Sequence, residues 1–197
     1  VISLALGPSN GNSPHVAAEA AVVLNIWMLI AHLLQYSVRE CSAKTKASAA
    51  AIDSAVGLWI GKDTAEGKFR SGYSMYSLAQ SAYRLYGYDE AESPVNTRLM
   101  QMFNTAQSHA KACDNVPTEA LEMSLYHTVN DLLDELGKPV LQMLLYFASQ
   151  DEADPTELYA LSFLPRAISC DINAYTILRD SFLEGYEKGT LSDEVIL

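Results

Sequence analysis

The most informative segment of the chain is residues 51–87, AIDSAVGLWIGKDTAEGKFRSGYSMYSLAQSAYRLYG. It contains two blocks with helix-forming patterns, separated by a polar loop that carries glycine. Tyrosines line the second block, at Tyr73, Tyr76, Tyr83 and Tyr86. The segment therefore predicts two successive helices, the second with a stripe of phenol rings.

Helix-boundary signals continue outward from this segment in both directions. An N-cap residue precedes a proline at the first helical position at Ser13, Ser93 and Asp154. Glycines such as Gly61 and Gly137 stand where helices are expected to end. The helices are predicted at about residues 14–46, 49–60, 72–86, 94–112, 118–136, 139–150, 155–168 and 172–187.

Strand signals are almost missing, because alternating β-branched runs with tight Asn-Gly or Asp-Gly turns do not occur. The chain has 197 residues, of which 49% are hydrophobic and 19% charged, which is typical of a folded globular protein. We therefore expect an all-α fold, a multi-helix bundle of about eight helices around an apolar first helix. Residues 1–197 are expected to form a single helical domain.

The first predicted helix contains the run AAVVLNIWMLIAHLL, residues 20–34, which is interrupted only by Asn25 and His32. A bilayer span needs roughly 20 apolar residues and this run is shorter, so a central, buried bundle helix is expected. His32 could ligate a pigment or haem, although a core histidine bonded to a carbonyl is commoner. The residues predicted to contact a protein partner are Ile26, Trp27, Ile30, Leu33 and Leu34.

Charge and cysteine content restrict the partners and the compartment. The net charge of -11 would repel nucleic acid and the anionic face of a membrane. Cys41, Cys113 and Cys170 lie far apart without zinc-ligand spacing, and one thiol is left over whichever pair forms a disulfide. The first residue is Val1 and not Met, which favours an exported or organelle-imported protein whose targeting segment has been removed.

Two groups of side chains offer metal ligands. Tyr73 and Tyr76 carry phenol oxygens, which suit ferric iron, although tyrosines at helical spacing more often bury their rings. His127, Asp131 and either Asp134 or Glu135 can share one face of the amphipathic helix 118–136. That face is opposite the apolar stripe, where carboxylates are usually solvated, and we expect the acidic side chains to point to solvent.

Catalytic motifs are absent from the sequence. It has no GxSxG, GxGxxG or Walker loop, and no HExxH or ExxH pairing. We therefore expect a protein that is not an enzyme.

Several segments resemble one protein family. They are AVGLWIG (55–61), GYSMYSLAQSAYRLYG (72–87), PVNTRLMQMFNTAQS (94–108) and VLQMLLYFASQDEADPTELYALSFLPRAIS (140–169). In hydrophobic pattern and in several Gly, Tyr and Asn positions they look like the algal low-iron-inducible periplasmic proteins, the FEA-type iron-assimilation family. The resemblance implies an all-helical, algal, extracytoplasmic protein that binds rather than catalyses.

Two functional hypotheses follow. The first is a non-enzymatic linker or accessory scaffold subunit that docks onto protein subunits of a larger algal complex, for example a photosynthetic antenna of the chloroplast thylakoid. In that role it would associate with a membrane through its partners, with pigment or lipid against the first helix. The alternative is an iron-assimilation protein of the periplasm or cell surface that captures ferric iron with tyrosine and carboxylate oxygens.

Overall fold

The computed structural model describes residues 21–61, 74–88 and 92–184, and these residues contain seven α-helices and no strand. The helices are α1 (Trp27–Ala43), α2 (Ser48–Ile60), α3 (Met75–Leu85), α4 (Pro94–Asn115), α5 (Glu119–Ser149), α6 (Ala153–Cys170) and α7 (Ile172–Arg179). A π-helical segment, Val22–Ile26, leads into α1, and a second one, Asp180–Glu184, follows α7. The predicted all-α bundle is confirmed, with seven helices instead of about eight.

Local capping explains where several helices begin. The Ser74 hydroxyl accepts a hydrogen bond from the backbone N–H of Ser77 at the start of α3, at 3.1 Å. Thr118 caps α5 in the same way, and Pro94 occupies the first turn of α4 as the sequence predicts. Each cap satisfies a backbone N–H group that has no partner inside the helix.

The prediction of two helices at residues 118–136 and 139–150 is wrong, because α5 runs unbroken from Glu119 to Ser149 with Pro139 inside it. An interior proline costs about 3 kcal/mol in an isolated helix. Here Gly137, Pro139 and Val140 are all buried, and their packing offsets that cost. A Cβ atom on Gly137 would lie 3.2 Å from the ring of Phe163, so this glycine allows α6 to approach closely and does not end the helix.

The core is built around Trp59 of α2, which is fully buried. Its ring centroid lies 5.1 Å from that of Phe103 on α4 and 5.5 Å from that of Tyr76 on α3. Such tilted aromatic contacts add to the stabilisation from buried apolar area. The three helices α2, α3 and α4 are therefore held by one aromatic cluster.

Helix α1 is buried on one side. Trp27, Ile30 and Leu34 lie in the core, whereas Met28 and Leu29 are exposed. Together with its π-helical segment, α1 spans 22 residues and contains an 18-residue window of mean hydropathy 1.3, so it is long and apolar enough to cross a membrane by length and composition alone. The core helix of a soluble protein and a signal sequence near the N-terminus meet the same criteria.

A disulfide fastens the end of α1 to the bundle. Cys41 of α1 is bonded to Cys113 of α4, which decides the pairing that the sequence leaves open, and Cys170 is an exposed free thiol. Beside it, the Asp114 carboxylate accepts hydrogen bonds from the backbone N–H groups of Ser48 and Ala49, both at 3.1 Å. This carboxylate caps the first turn of α2, so α1, α2 and α4 meet at one junction.

Candidate functional site

From Ala21 to Gln35, none of the exposed side chains of α1 and of the turn before it is charged. We call this surface the outer face of α1. It consists of Ala21, Asn25, Met28, Leu29, His32 and Gln35, all exposed. These positions recur every three or four residues and therefore lie on one side of the helix.

The chain carries 24 acidic and 13 basic residues, and none of them belongs to the outer face of α1. Met28 and Leu29, at its centre, are 43% and 46% exposed. Single exposed apolar side chains need no explanation, but a contiguous surface without charge is typical of the centre of a protein interface. Methionine is also enriched in such interfaces. The outer face of α1 is therefore the first candidate site.

The residues predicted from sequence to contact a partner lie mostly on the opposite side of the helix. Trp27, Ile30 and Leu34 are buried in the core, and Ile26 and Leu33 are half-buried and pack against it. Sequence reasoning missed Met28 and Leu29, because both sides of the helix are apolar. The signal that separates the sides is polar: Asn25 and His32, the two interruptions of the apolar run, both lie on the outer face.

A cleft of about 260 Å³ opens beside the outer face, between α1, α5 and α6. Its apolar lining residues are Trp27, Met28, Ala31, Leu133 and Pro165, and its polar ones are His32, Gln35, Arg166 and Ser169. The ring of His32 also stacks on that of Tyr36, with centroids 6.4 Å apart. The cleft thus combines an apolar wall with a few polar groups.

Arg166 is the cation of this cleft. Its side chain is only 18% exposed, and its Nε donates to Oδ1 of Asp134 at 3.0 Å. Its Nη2 donates to the same oxygen. The Ser169 hydroxyl donates to the backbone carbonyl of Arg166 at 2.8 Å. The guanidinium is therefore balanced by one carboxylate that lies towards solvent.

The residues proposed as iron ligands are dispersed. Tyr73 lies outside the described residues, and the Tyr76 hydroxyl donates to the Glu92 carboxylate at 2.7 Å. His127 and Asp131 are exposed on α5, and the His127 ring contacts that of its neighbour Tyr126. Within the described part of the chain, no three His, Cys, Asp or Glu side chains are close enough to hold one metal ion.

Glu135 does not share the solvent-facing side that the sequence predicts for it. Its side chain is buried, and Oε2 accepts hydrogen bonds from Lys138 Nζ at 2.7 Å and from Arg98 Nη1 at 3.3 Å. Burial of a carboxylate is tolerated when cations pair with it. Glu135 therefore joins α5 to α4 and is buried, whereas His127 is exposed, which corrects the expectation that both lie on one exposed face.

The tyrosine stripe forms packing contacts. The rings of Tyr83 and Tyr88 stack with centroids 4.6 Å apart. The Tyr86 hydroxyl donates to the backbone carbonyl of Gln142 at 3.1 Å, joining α3 to α5. Burial raises the pKa of the Tyr86 hydroxyl, which disfavours the phenolate that would bind ferric iron.

Comparison with known proteins does not extend these observations. The chain matches no protein-family model, no curated protein and no solved structure. The resemblance to iron-assimilation proteins therefore stays a prediction. The outer face of α1 and the cleft beside it are the features that bear on function.

Proposed function

We propose that this protein is a non-enzymatic accessory subunit that docks onto a larger assembly through the outer face of α1. The observation that carries the proposal is the absence of charge over the whole exposed side of the helix from Ala21 to Gln35, in a strongly acidic chain. Charge depletion around exposed Met and Leu side chains is what the centre of a protein interface requires. No observation on the described residues favours iron capture, so docking is the function we propose.

The partner surface that fits this face is an apolar helix. The residues from Ala21 to Gln35 extend over about 20 Å at the helical rise of 1.5 Å per residue. Their exposed side chains are spaced three or four residues apart, the pattern by which helices pack along one another. Asn25, His32 and Gln35 give this stripe side chains that can form hydrogen bonds and set the register of a partner helix.

Charges at the margin of the face argue for a protein and against a bilayer. Asp134 is 57% exposed next to the cleft, and Arg39 is exposed one turn beyond Gln35. Charged side chains are costly inside the hydrocarbon region. At the rim of a protein interface they stay hydrated, because rims are polar.

The disulfide supports the compartment that we propose. Cys41 and Cys113 are both buried and bonded, and disulfides persist in oxidising environments. We therefore place the protein outside the reducing cytosol. The sequence hypothesis that its host is an algal photosynthetic complex is part of the proposal and identifies the thylakoid fraction as the first place to search for partners.

The test replaces Met28 and Leu29 together by Asp, which leaves the buried side of α1 intact. The control replaces Met123 and Leu145 of α5 by Asp, since these side chains are equally exposed, at 50% and 46%. Each tagged variant is purified from native membranes in mild detergent, and its helicity and melting temperature are compared with the wild type.

We expect the α1 variant to stay folded and to lose a defined partner that the wild type and the α5 variant both retain. A photo-crosslinker at Leu29 should give a product with the same partner. Equal retention of that partner by both variants would disprove the docking face, as would the absence of any partner of the wild-type protein. The purified chain is also tested for binding to lipid vesicles. If it binds them and only the α1 variant loses this binding, the face contacts lipid and the proposal is overturned.

A further inference from the structure

We infer that the cleft between α1, α5 and α6 binds a small uncharged molecule in which an apolar ring or short chain carries a carbonyl group, as in a primary amide. This inference concerns a ligand site on the isolated chain and goes beyond docking of a protein partner. It rests on the size of the cleft, on its apolar wall, and on the hydrogen-bonding groups of Arg166 and its neighbours.

Size limits the ligand. The cleft volume of about 260 Å³ lies just below the range of about 300–1,000 Å³ that is typical of sites for drug-sized molecules. A single ring with a short substituent fits this space, whereas most of a long acyl chain or a porphyrin would lie outside the cleft.

The wall of the cleft favours an apolar body. Trp27 and Leu133 line it and are themselves almost fully buried, so their contact surfaces are held rigidly by the core. Ala31 and Pro165 add apolar surface from α1 and α6. Sites for small molecules are usually apolar concavities with a few placed polar groups.

Arg166 has N–H donors that no described residue uses. A guanidinium has five N–H groups, and in Arg166 the groups on Nε and Nη2 donate to a single oxygen of Asp134. Nη1 makes no hydrogen bond to the described residues. An acceptor oxygen on a ligand would satisfy it without breaking the pair with Asp134.

Charge then selects the kind of acceptor. Asp134 already neutralises Arg166, and the chain as a whole carries a net charge of -11. A carboxylate ligand would meet the Asp134 charge at short range, whereas a carbonyl oxygen avoids that repulsion. The Ser169 hydroxyl uses its hydrogen on the Arg166 carbonyl, so its lone pairs are left to accept an N–H group, as an amide ligand would offer.

The experiment uses three probes of one shape: phenylacetamide, phenylacetate and 2-phenylethylamine. Binding to the full chain is measured by calorimetry and by protein-detected NMR. We expect saturable binding of phenylacetamide in the millimolar range, and at least about tenfold weaker binding of the two charged analogues. The amide alone can use the Nη1 donors without meeting an uncompensated charge.

Two variants test the site. Arg166→Met should weaken phenylacetamide binding about tenfold or more, because a hydrogen bond from a charged donor is lost. Arg98→Met is the matched control, since Arg98 also pairs with a carboxylate but does not line the cleft. Ser169→Trp, at an exposed position on the rim, should block all binding without disturbing the core.

Melting temperatures show which variants are folded. If Arg166→Met does not fold, Ser169→Trp alone tests whether the amide binds in the cleft. The inference is overturned if phenylacetamide fails to saturate the wild-type chain, or if either phenylacetate or 2-phenylethylamine binds as tightly. It is also overturned if folded Ser169→Trp binds the amide as the wild type does. Because all measurements use the isolated chain, they are independent of whether a protein partner docks on α1.

Discussion

Reduction of the Cys41–Cys113 disulfide is expected to destabilise the fold strongly. The bond links residues that are 72 positions apart in the sequence, and it joins α1 to α4 beside the carboxylate that caps α2. The loop-closure entropy that such a link removes from the unfolded chain corresponds to about 4 kcal/mol. The free energy of unfolding of a domain is about 5–15 kcal/mol, so the disulfide contributes a large share of the stability.

The assay is urea unfolding followed by far-ultraviolet circular dichroism, with and without dithiothreitol. Cys170→Ser serves as the background, because the exposed free thiol could otherwise exchange with the disulfide. Reduction keeps both sulfur atoms in the core, so the comparison isolates the cross-link from any loss of packing. For a chain of this length the melting temperature should fall by about 8–16 °C.

Two results would refute the reasoning. One is a free energy of unfolding that changes by less than about 1 kcal/mol on reduction, since the entropy model could not account for it. The other is the finding that Cys41 and Cys113 are both free thiols in protein purified without reductant.

Three further predictions concern stability. Ile30→Ala should lower the free energy of unfolding by about 2–5 kcal/mol, because a fully buried side chain leaves a cavity; a near-neutral result in urea unfolding would place Ile30 outside the core. Asp114→Ala should cost about 0.5–2 kcal/mol through loss of the α2 cap, and Asp114→Asn less. Burial raises the pKa of Tyr86 in the folded chain above its value of 10.0 in the unfolded chain. The folded chain therefore keeps a proton that the unfolded chain loses near pH 10. Stability should therefore fall as pH rises through the folded pKa, and Tyr86→Phe should reduce that slope in thermal melts.

Helix type and several helix starts could be predicted because they depend on neighbouring residues. Ser93 followed by Pro94 predicts the start of α4, and the structure begins α4 there. The apolar run before Gln35 predicts a central, buried helix; Trp27 and Leu34 are in the core, whereas Met28 and Leu29 are exposed. Helix caps and hydrophobic periodicity involve residues within one or two helical turns, so they can be recognised in the sequence without knowledge of the neighbouring helices.

The candidate sites could be predicted only in part. Asn25 and His32 stood out in the sequence as breaks in an apolar run, but their importance as markers of the exposed side depends on where α2 and α5 pack. The cleft beside Arg166 brings together residues of three helices that are far apart in the chain. No local pattern contains that juxtaposition.

Composition and capping act locally or additively, and they were enough to predict an all-α chain with an apolar first helix. The packing of the helices determines that Met28 faces outward, that Glu135 is buried between two cations, that Pro139 lies inside an unbroken helix and that Cys41 pairs with Cys113. The physical reason is the same in each case. Burial, ion pairing and cross-linking depend on which distant side chain arrives beside a residue, and the residue's own neighbours in sequence do not specify that.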